Sequence, residues 1–206
     1  ENNKGYDNLI KIVSYGFKDG FYYKPRVDIE LLEKYHEGII ALSACLAGPV
    51  ARTIIRQGYD KAKEVALRYN NIFGENNFFL ELQDHMDGSV DQQTVNQSLM
   101  RMHQETGIPL VATNDCHYIS PEDAEAHDIL LCIQTNTTVD EADRMRYEGG
   151  QYYVKSPEEM YSLFPYAHQA CENTYKIAQR CNVEFEFGNY KLPVFDVPDG
   201  KTAVEY

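Results

Sequence analysis

The stretch that decides the fold is "LVATNDCHYISPEDAEAHDILLCIQTN", residues 110–136, in which an apolar run ends in polar residues and a helical pattern follows. Residues 110–115 predict a buried strand that ends at Asp115, and His117 stands two positions further on. Residues 121–133 predict a helix directly afterwards. Because side chains two positions apart at a strand end point the same way, this carboxylate and imidazole indicate a site for something positively charged.

The same alternation of strand and helix occurs earlier in the chain. Residues 38–45 and 77–84 predict buried strands, and residues 58–73 and 89–106 predict helices. Strands and helices that alternate in this way predict an α/β fold with a parallel sheet and crossover helices. In such a fold the carboxyl ends of the strands lie on one face, and that face carries the chemistry.

The flanking segments have other patterns. Residues 6–18 predict an amphipathic helix, and residues 151–155 predict a short aromatic strand. A capping box that begins at Ser156 predicts the start of a further helix. Residues 186–206 are rich in proline and glycine, which is typical of an extended linker. The expected division is therefore a domain over residues 1–185 followed by this linker.

Composition limits the classes of function. The chain has 206 residues, 43% of them hydrophobic, which is typical of a globular domain with a core. The formal net charge of −13 disfavours general binding to nucleic acids, because an acidic surface repels the phosphate backbone. Lys24 and Arg26 in "YYKPRVD" are candidate contacts for a phosphate or for DNA, and a solvated turn is the alternative.

Cysteine usage and hydropathy indicate the compartment. The five cysteines have irregular spacing, which matches neither a disulfide framework nor a zinc knuckle. Reduced thiols in a cytoplasmic protein are the simplest interpretation. The sequence contains neither an apolar run long enough for a membrane span nor a signal-peptide pattern, so we expect no membrane partner.

Potential metal ligands stand at the end of each predicted strand. Cys45 ends the first strand, His85 follows the second, and Asp115 and His117 follow the third. Thiolate, imidazole and carboxylate all bind Zn²⁺, and imidazole with carboxylate also suits Mn²⁺ or Fe²⁺. We therefore predict that these four residues converge at one end of a parallel sheet and bind metal.

Each candidate also has a plainer interpretation. Cys45 alone is typical of a small buried hydrophobic residue, and His85 is typical of a solvated loop. Asp115 could cap the helix that follows it. His127 lies in the middle of a predicted helix, where a histidine of the core or surface is commoner than a ligand. The pattern alone leaves the metal site and these alternatives open.

Several long motifs in order resemble a known family. They are "GFYYKPRVDIELLEKYHEGIIALSACLAG", "FFLELQDH", "PLVATNDCHYISPEDAEAHDILLCIQT" and "YVKSPEEMYSLF". Together they closely resemble the PHP (polymerase and histidinol phosphatase) domain of the bacterial DNA polymerase III alpha subunit. The resemblance implies part of a distorted (βα)7 barrel, which binds up to three metal ions at the carboxyl ends of its strands. It places Cys45, His85, Asp115 and His117 among the ligands.

The resemblance also implies cofactors and partners. The family's other ligands come from an N-terminal HxH motif, a following DH and a Glu, and the chain begins after them. Zn or Mn is expected at this site, with Mg at the parent polymerase's carboxylates beyond residue 206. The implied partners are the remainder of the alpha subunit, the proofreading exonuclease subunit, and DNA through the parent enzyme.

Because the chain begins after the HxH, DH and Glu ligands of the family, we have two expectations for the chain by itself. In some family members the PHP site is degenerate, and in others it is thought to act as a 3′–5′ exonuclease. This chain alone is expected to be inactive. Because a barrel without its first strands has unpaired edges and an uncovered interior, the chain is also expected to self-associate.

Two other functions fit the same residues. One is a standalone metal-dependent PHP phosphoesterase. A complete upstream HxH motif and an end of the protein soon after residue 200 would favour it. The stretch "KLPVFDVPDGKTAVEY" disfavours it, because it resembles a passage into further chain. The other is a non-catalytic module that docks a proofreading partner, which metal binding by the full-length parent would disfavour.

Overall fold

The fold is known from a computed structural model that describes residues 1–86, 88–190, 196–198, 200–202 and 204–206. The expected linker over residues 186–206 therefore lies partly outside the described residues.

Three parallel strands form the sheet in the order β1-β2-β3. Their bounds are β1 Ala41–Leu42, β2 Phe78–Leu82 and β3 Leu110–Ala112. Ala41 pairs with Phe78, and Leu80 pairs with Leu110. The three predicted strands and their parallel pairing are confirmed, and each strand is shorter than the apolar run that predicted it.

Helices surround the sheet, and the sequence predicted most of their positions. In the described part of the chain they are α1 Asn3–Lys18, α2 Ile29–Tyr35, α3 Pro49–Gln57, α4 Tyr59–Phe73, α5 Val90–Thr106, α6 Ala124–Thr135, α7 Pro157–Leu163 and α8 His168–Arg180. The predicted capping box is present at α7, where the Ser156 hydroxyl accepts from the Glu159 backbone N–H and the Glu159 carboxylate accepts from the Ser156 N–H. Short 3₁₀ turns occupy Pro121–Asp123 and Glu148–Gly150.

Two segments differ from the prediction. Helix α3, which follows the strand predicted over residues 38–45, has no counterpart among the predicted helices; it begins at Pro49, where the missing N–H of proline has no helical partner to lose. The strand predicted over residues 151–155 is reduced to a single parallel bridge between Tyr118 and Tyr153. Both differences lie where the chain changes direction and local patterns carry little information.

The core lies between the sheet and the helices packed against it. Helices α4 and α5 contact β2, and α8 contacts β3. The Asn173 side-chain amide on α8 donates to the Leu110 carbonyl oxygen at 2.8 Å, which fixes α8 against the strand. The largest fully buried side chains are Phe78, Phe164, Leu80, Leu82, Leu99, Met102, Val50, Val95 and Val111.

The observed architecture is thus α/β with a small parallel sheet. Within the described residues the sheet is open and has three strands, so the seven-stranded barrel stays a prediction. All five cysteines are free thiols. None of the helices in the described ranges is both long enough and apolar enough to cross a membrane.

Candidate functional site

The candidate ligands follow the strand ends at matched positions. Cys45 lies three residues after β1 ends, His85 three residues after β2, and Asp115 three residues after β3. His117 follows two residues beyond Asp115. Because the strands are parallel neighbours, these positions lie at the same edge of the sheet.

His85 is a buried residue of this edge. Only 8% of its surface is exposed, so the alternative of a solvated loop residue is wrong. Its imidazole stacks on the ring of Tyr152, with 4.1 Å between ring centroids and 27° between the ring planes. The loop after β2 is therefore tied to an aromatic residue from a distant part of the chain.

His117 contacts the same tyrosine and two further rings. Its ring centroid lies 5.7 Å from that of Tyr152 in a stacked orientation and 4.3 Å from that of Tyr147 in an edge orientation. The His127 ring on α6 is 5.4 Å away. The backbone N–H of His117 donates to the Tyr152 carbonyl oxygen at 2.7 Å. His85, His117, His127, Tyr147 and Tyr152 form the His–Tyr cluster.

The two remaining candidates act electrostatically on this cluster. Burial raises the pKa of the Tyr147 phenol, and the negative charges of Asp115 and Cys45 raise it further. Cys45 and Asp115 are both half-buried, and they lie close enough to Tyr147 for this effect. Burial also lowers the pKa of His127, and the charge of His117 lowers it further. His85 and His117 therefore stack on Tyr152, and Asp115 and Cys45 lie within electrostatic range of Tyr147.

A polar network joins the three strand ends. The Glu81 carboxylate accepts from the Ala44 N–H at 2.9 Å and from the Thr113 hydroxyl at 2.5 Å. The Glu81 N–H donates to the Ser43 hydroxyl oxygen at 2.9 Å. These bonds fix the loops that carry Cys45 and Asp115, so Glu81 supports the site from within the sheet.

The turn after β3 directs Asp115 out of the strand. Asp115 has a φ of +48°, in the left-handed region that aspartate tolerates better than most residues. The preceding Asn114 is 6% exposed, and its side-chain amide donates to the carbonyl oxygens of Gln151 and Tyr153 at 2.9 and 2.7 Å. Asn114 thereby attaches the segment that carries Tyr152 to the end of β3.

The donor types suit a metal, but the observed arrangement does not complete a site. Cys45, His85, Asp115 and His117 provide the thiolate, imidazole and carboxylate groups that Zn²⁺ or Mn²⁺ accepts. Across the described ranges, no three His, Cys, Asp or Glu side chains form a group that could hold one ion. The rings of the His–Tyr cluster pack among the candidates instead. The four residues are gathered at one edge without being arranged around a common centre.

Lys24 and Arg26 lie elsewhere, in the exposed turn that follows α1. The Lys24 carbonyl oxygen accepts from the Tyr22 N–H at 3.1 Å. The Arg26 guanidinium stands over the Tyr22 ring, 5.2 Å from its centroid. Both side chains are exposed, as in a solvated turn, and their contact with a phosphate or with DNA stays a prediction.

Sequence reasoning missed Tyr147 and Tyr152 as members of the site. The signal was present in "RYEGGQYY", in which two consecutive glycines separate the aromatic residues. Gly149 and Gly150 have φ values of +82° and +64°, so they form the tight turn between the two rings. Such a turn brings both tyrosines to the same place.

Comparison with known proteins finds a matching domain family and similar proteins. The family model described as "PHP domain" matches residues 1–85. DNA polymerase III subunit alpha of Borreliella burgdorferi is 42% identical over 208 residues, which cover 100% of this chain and 18% of that protein. The subunit of Thermus aquaticus is 40% identical over 98% of this chain and 17% of its own length. The Helicobacter pylori subunit (strain 26695) is 38% identical over 93% and 16%.

The chain thus spans less than a fifth of the length of these relatives. The matched stretch extends along nearly all of the chain. The chain is thus similar to the PHP domain over residues 1–85 and, along nearly all of its length, to one part of DNA polymerase III subunit alpha.

Proposed function

We propose that the chain is the PHP-domain part of a replicative DNA polymerase alpha subunit, to which it contributes scaffold and half of a metal site. One observation carries the proposal: Cys45, His85 and Asp115 each follow a neighbouring parallel strand by three residues. A scaffold alone does not require a thiol, an imidazole and a carboxylate at equivalent positions of three strands.

The proposed ligands are Cys45, His85, Asp115 and His117, and the proposed metal is Zn or Mn. Ligands from outside this chain are proposed to complete the coordination. A bound ion would polarise a phosphate oxygen and supply a metal-activated hydroxide. Glu81 would hold the Cys45 and Asp115 loops in register for that ion.

The proposed parent enzyme transfers nucleotides to a DNA end with Mg²⁺ in the cytoplasm. The net charge of −13 disfavours DNA binding by this part, so the rest of the subunit is proposed to bind the DNA. We propose the division into a PHP domain over residues 1–185 and a linker over residues 186–206, since α8 ends at Arg180. The remaining subunit and the proofreading exonuclease are the proposed partners.

Metal binding tests the proposed site directly. In the full-length parent subunit, we expect calorimetric titration to show binding of Zn²⁺ or Mn²⁺, and Asp115→Asn to weaken that binding by at least about tenfold, because it removes a ligand charge. The exposed Asp140→Asn removes the same charge away from the strand ends, and its affinity should match that of the unaltered subunit. Equal affinities for the two variants, or no binding at all, would contradict the proposed site.

The chain alone is expected to release no nucleotide from the 3′ end of DNA. Metal-assisted phosphoester hydrolysis of this kind uses two ions that clamp the scissile phosphate, and half a ligand set does not hold both. The measurement is release of a labelled 3′ nucleotide in the presence of Mn²⁺ or Zn²⁺. Turnover that disappears in Asp115→Ala would show that this chain carries a sufficient site.

A further inference from the structure

Helix α6 is apolar on two opposite sides. One side is buried in the fold, where Leu131 and Cys132 are 6% and 5% exposed. The opposite side is a row of residues at the spacing i, i+3, i+4 and i+7, namely Ala126, Ile129, Leu130 and Ile133. Residues at this spacing are neighbours along one side of a helix. We call these four residues the α6 stripe.

The α6 stripe is open to solvent. Ile129, Leu130 and Ile133 are 47%, 61% and 72% exposed, and Ala126 is exposed as well. A helix at the surface of a globular protein has polar residues on its outer side, whereas a helix that is apolar on both sides is typical of a buried position. A row of large apolar residues on the outer side is therefore typical of an interface.

Contacts on the buried side of α6 hold the stripe in this orientation. The Arg144 guanidinium donates two hydrogen bonds, each 2.6 Å, to the two carboxylate oxygens of Asp128. The Arg144 side chain is only 4% exposed, and such two-pronged pairs have a defined geometry. Because this pair and the buried Leu131 fix the rotation of the helix about its axis, the α6 stripe cannot turn inwards.

The segment that carries the stripe is strongly acidic. Residues 121–150 contain eight acidic residues and two arginines, a net charge of −6. Of the eight, only Asp128 has an ion-pair partner among the residues that the structure describes. Glu125 stands four residues before Ile129, so it lies beside the stripe. The acidic side chains other than Asp128 are exposed, and they are Glu122, Asp123, Glu125, Asp140, Glu141, Asp143 and Glu148.

This charge selects the partner. A second copy of the chain would bring the same acidic segment to the same place, and the like charges would repel each other. A helix with an apolar row of its own and with lysine or arginine beside that row complements both the stripe and its charge. This chain spans 18% and 17% of two similar subunits, so most of a parent subunit of that kind lies outside it.

We propose that the α6 stripe is a docking surface for a basic amphipathic helix from the rest of the parent subunit. Ile129, Leu130 and Ile133 pack against the apolar row of that helix over about two turns, and Glu122 and Glu125 pair with its cationic side chains. The source of the helix rests on the proposed function, whereas the chemistry of the surface does not.

Two synthetic helical peptides test this chemistry on the full chain. Both have leucine at the spacing i, i+3, i+4 and i+7, and their remaining positions are lysine in one peptide and glutamate in the other. In fluorescence anisotropy titrations we expect the lysine peptide to bind at least about tenfold more tightly than the glutamate peptide, and added salt to weaken it. No binding of the lysine peptide, or equal binding of both peptides, overturns the proposal.

Matched variants separate the stripe from the general acidity of the chain. Ile129→Ser combined with Ile133→Ser removes exposed apolar side chains from α6 and should weaken binding of the lysine peptide at least about tenfold. Leu9→Ser combined with Val13→Ser removes side chains that are 48% and 49% exposed from α1 and should leave the affinity unchanged. An equal effect of the two double variants contradicts docking at α6.

Protection of an introduced thiol tests the source of the helix. Iodoacetamide labelling of Ile133→Cys, followed by peptide mass spectrometry, should be roughly tenfold slower in the full-length parent subunit than in this chain by itself, because a docked helix covers the position. Lys61→Cys on α4, where the lysine side chain is 60% exposed, is the reference and should react equally in both. Equal labelling of Ile133→Cys in both proteins overturns the proposed source. A parent subunit that protects Ile133→Cys but binds no metal would contradict the proposed metal site and leave the docking surface established.

Discussion

Replacing Gly5 with alanine is expected to lower the free energy of unfolding by about 1–3 kcal/mol, the usual range for adding atoms to a closely packed contact. Gly5 lies on the buried side of α1 against Gly38. A Cβ atom at position 5 would lie 2.0 Å from the carbonyl oxygen and 2.5 Å from the carbonyl carbon of Gly38. Because both of these are backbone atoms, no side-chain rotation relieves the clash, and α1 must move away.

The matched control is Gly16→Ala in the same helix. A Cβ atom at Gly16 would lie 3.2 Å from a methyl carbon of Val27, which can shift, and alanine is favoured over glycine inside a helix by about 1 kcal/mol. Gly16→Ala should therefore be neutral or stabilising. Urea denaturation followed by circular dichroism measures the stability of both variants. If Gly5→Ala is as stable as Gly16→Ala, the contact between Gly5 and Gly38 does not set the distance between α1 and the loop at Gly38.

The sequence predicted the parts of the site that depend on local pattern. Continuous apolar runs identify strands, and the strands alternate with helices, so the equivalent placement of Cys45, His85 and Asp115 follows from parallel topology. The ends of the strands were less accurate, because β3 stops at Ala112 while the apolar and polar signals continue to Asp115. Polar residues at a strand end do not say where backbone pairing stops.

The parts that were missed depend on contacts between distant segments. Tyr147 reaches the site because Arg144 binds Asp128 and because two glycines turn the chain, and neither contact has a periodic signature. The burial of His85 has the same origin, since Tyr152 covers it from a later segment. Helix α3 was missed for a local reason, because proline after glycine is typical both of a turn and of a helix start.

The amphipathic pattern correctly predicts helix α1, but it does not determine which apolar residues of the helix are buried. The sequence predicts Leu9, Ile12 and Val13 on one side of the helix, and the structure buries Ile12 while leaving Leu9 and Val13 exposed by 48% and 49%. The buried side of α1 consists of Gly5, Asn8, Ile12 and Gly16. Small residues allow that side to approach the loop at Gly38 closely, so the larger apolar residues lie on the outer side.

The outer side of α1 is an apolar surface formed by Leu9, Ile10, Val13 and Phe17. Phe17 is 60% exposed and Ile10 is 47% exposed. Isolated apolar residues are common on protein surfaces, whereas residues at this spacing lie next to one another along a helix. A contiguous apolar surface of this kind is typical of an interface.

We therefore expect the isolated chain to self-associate through α1. Size-exclusion chromatography with light scattering across a dilution series should give masses above the 23.7 kDa of the monomer. Val13→Glu combined with Phe17→Glu should shift the protein to the monomer, because two carboxylates on that surface repel each other and must be desolvated in any contact. Gln57→Glu combined with Gln104→Glu adds the same charge at exposed positions of α3 and α5 and should leave association unchanged. If the unaltered chain is a monodisperse monomer, the outer side of α1 is stable when exposed to solvent and the expectation is wrong. If both double variants dissociate the protein equally, the effect comes from net charge and not from this surface.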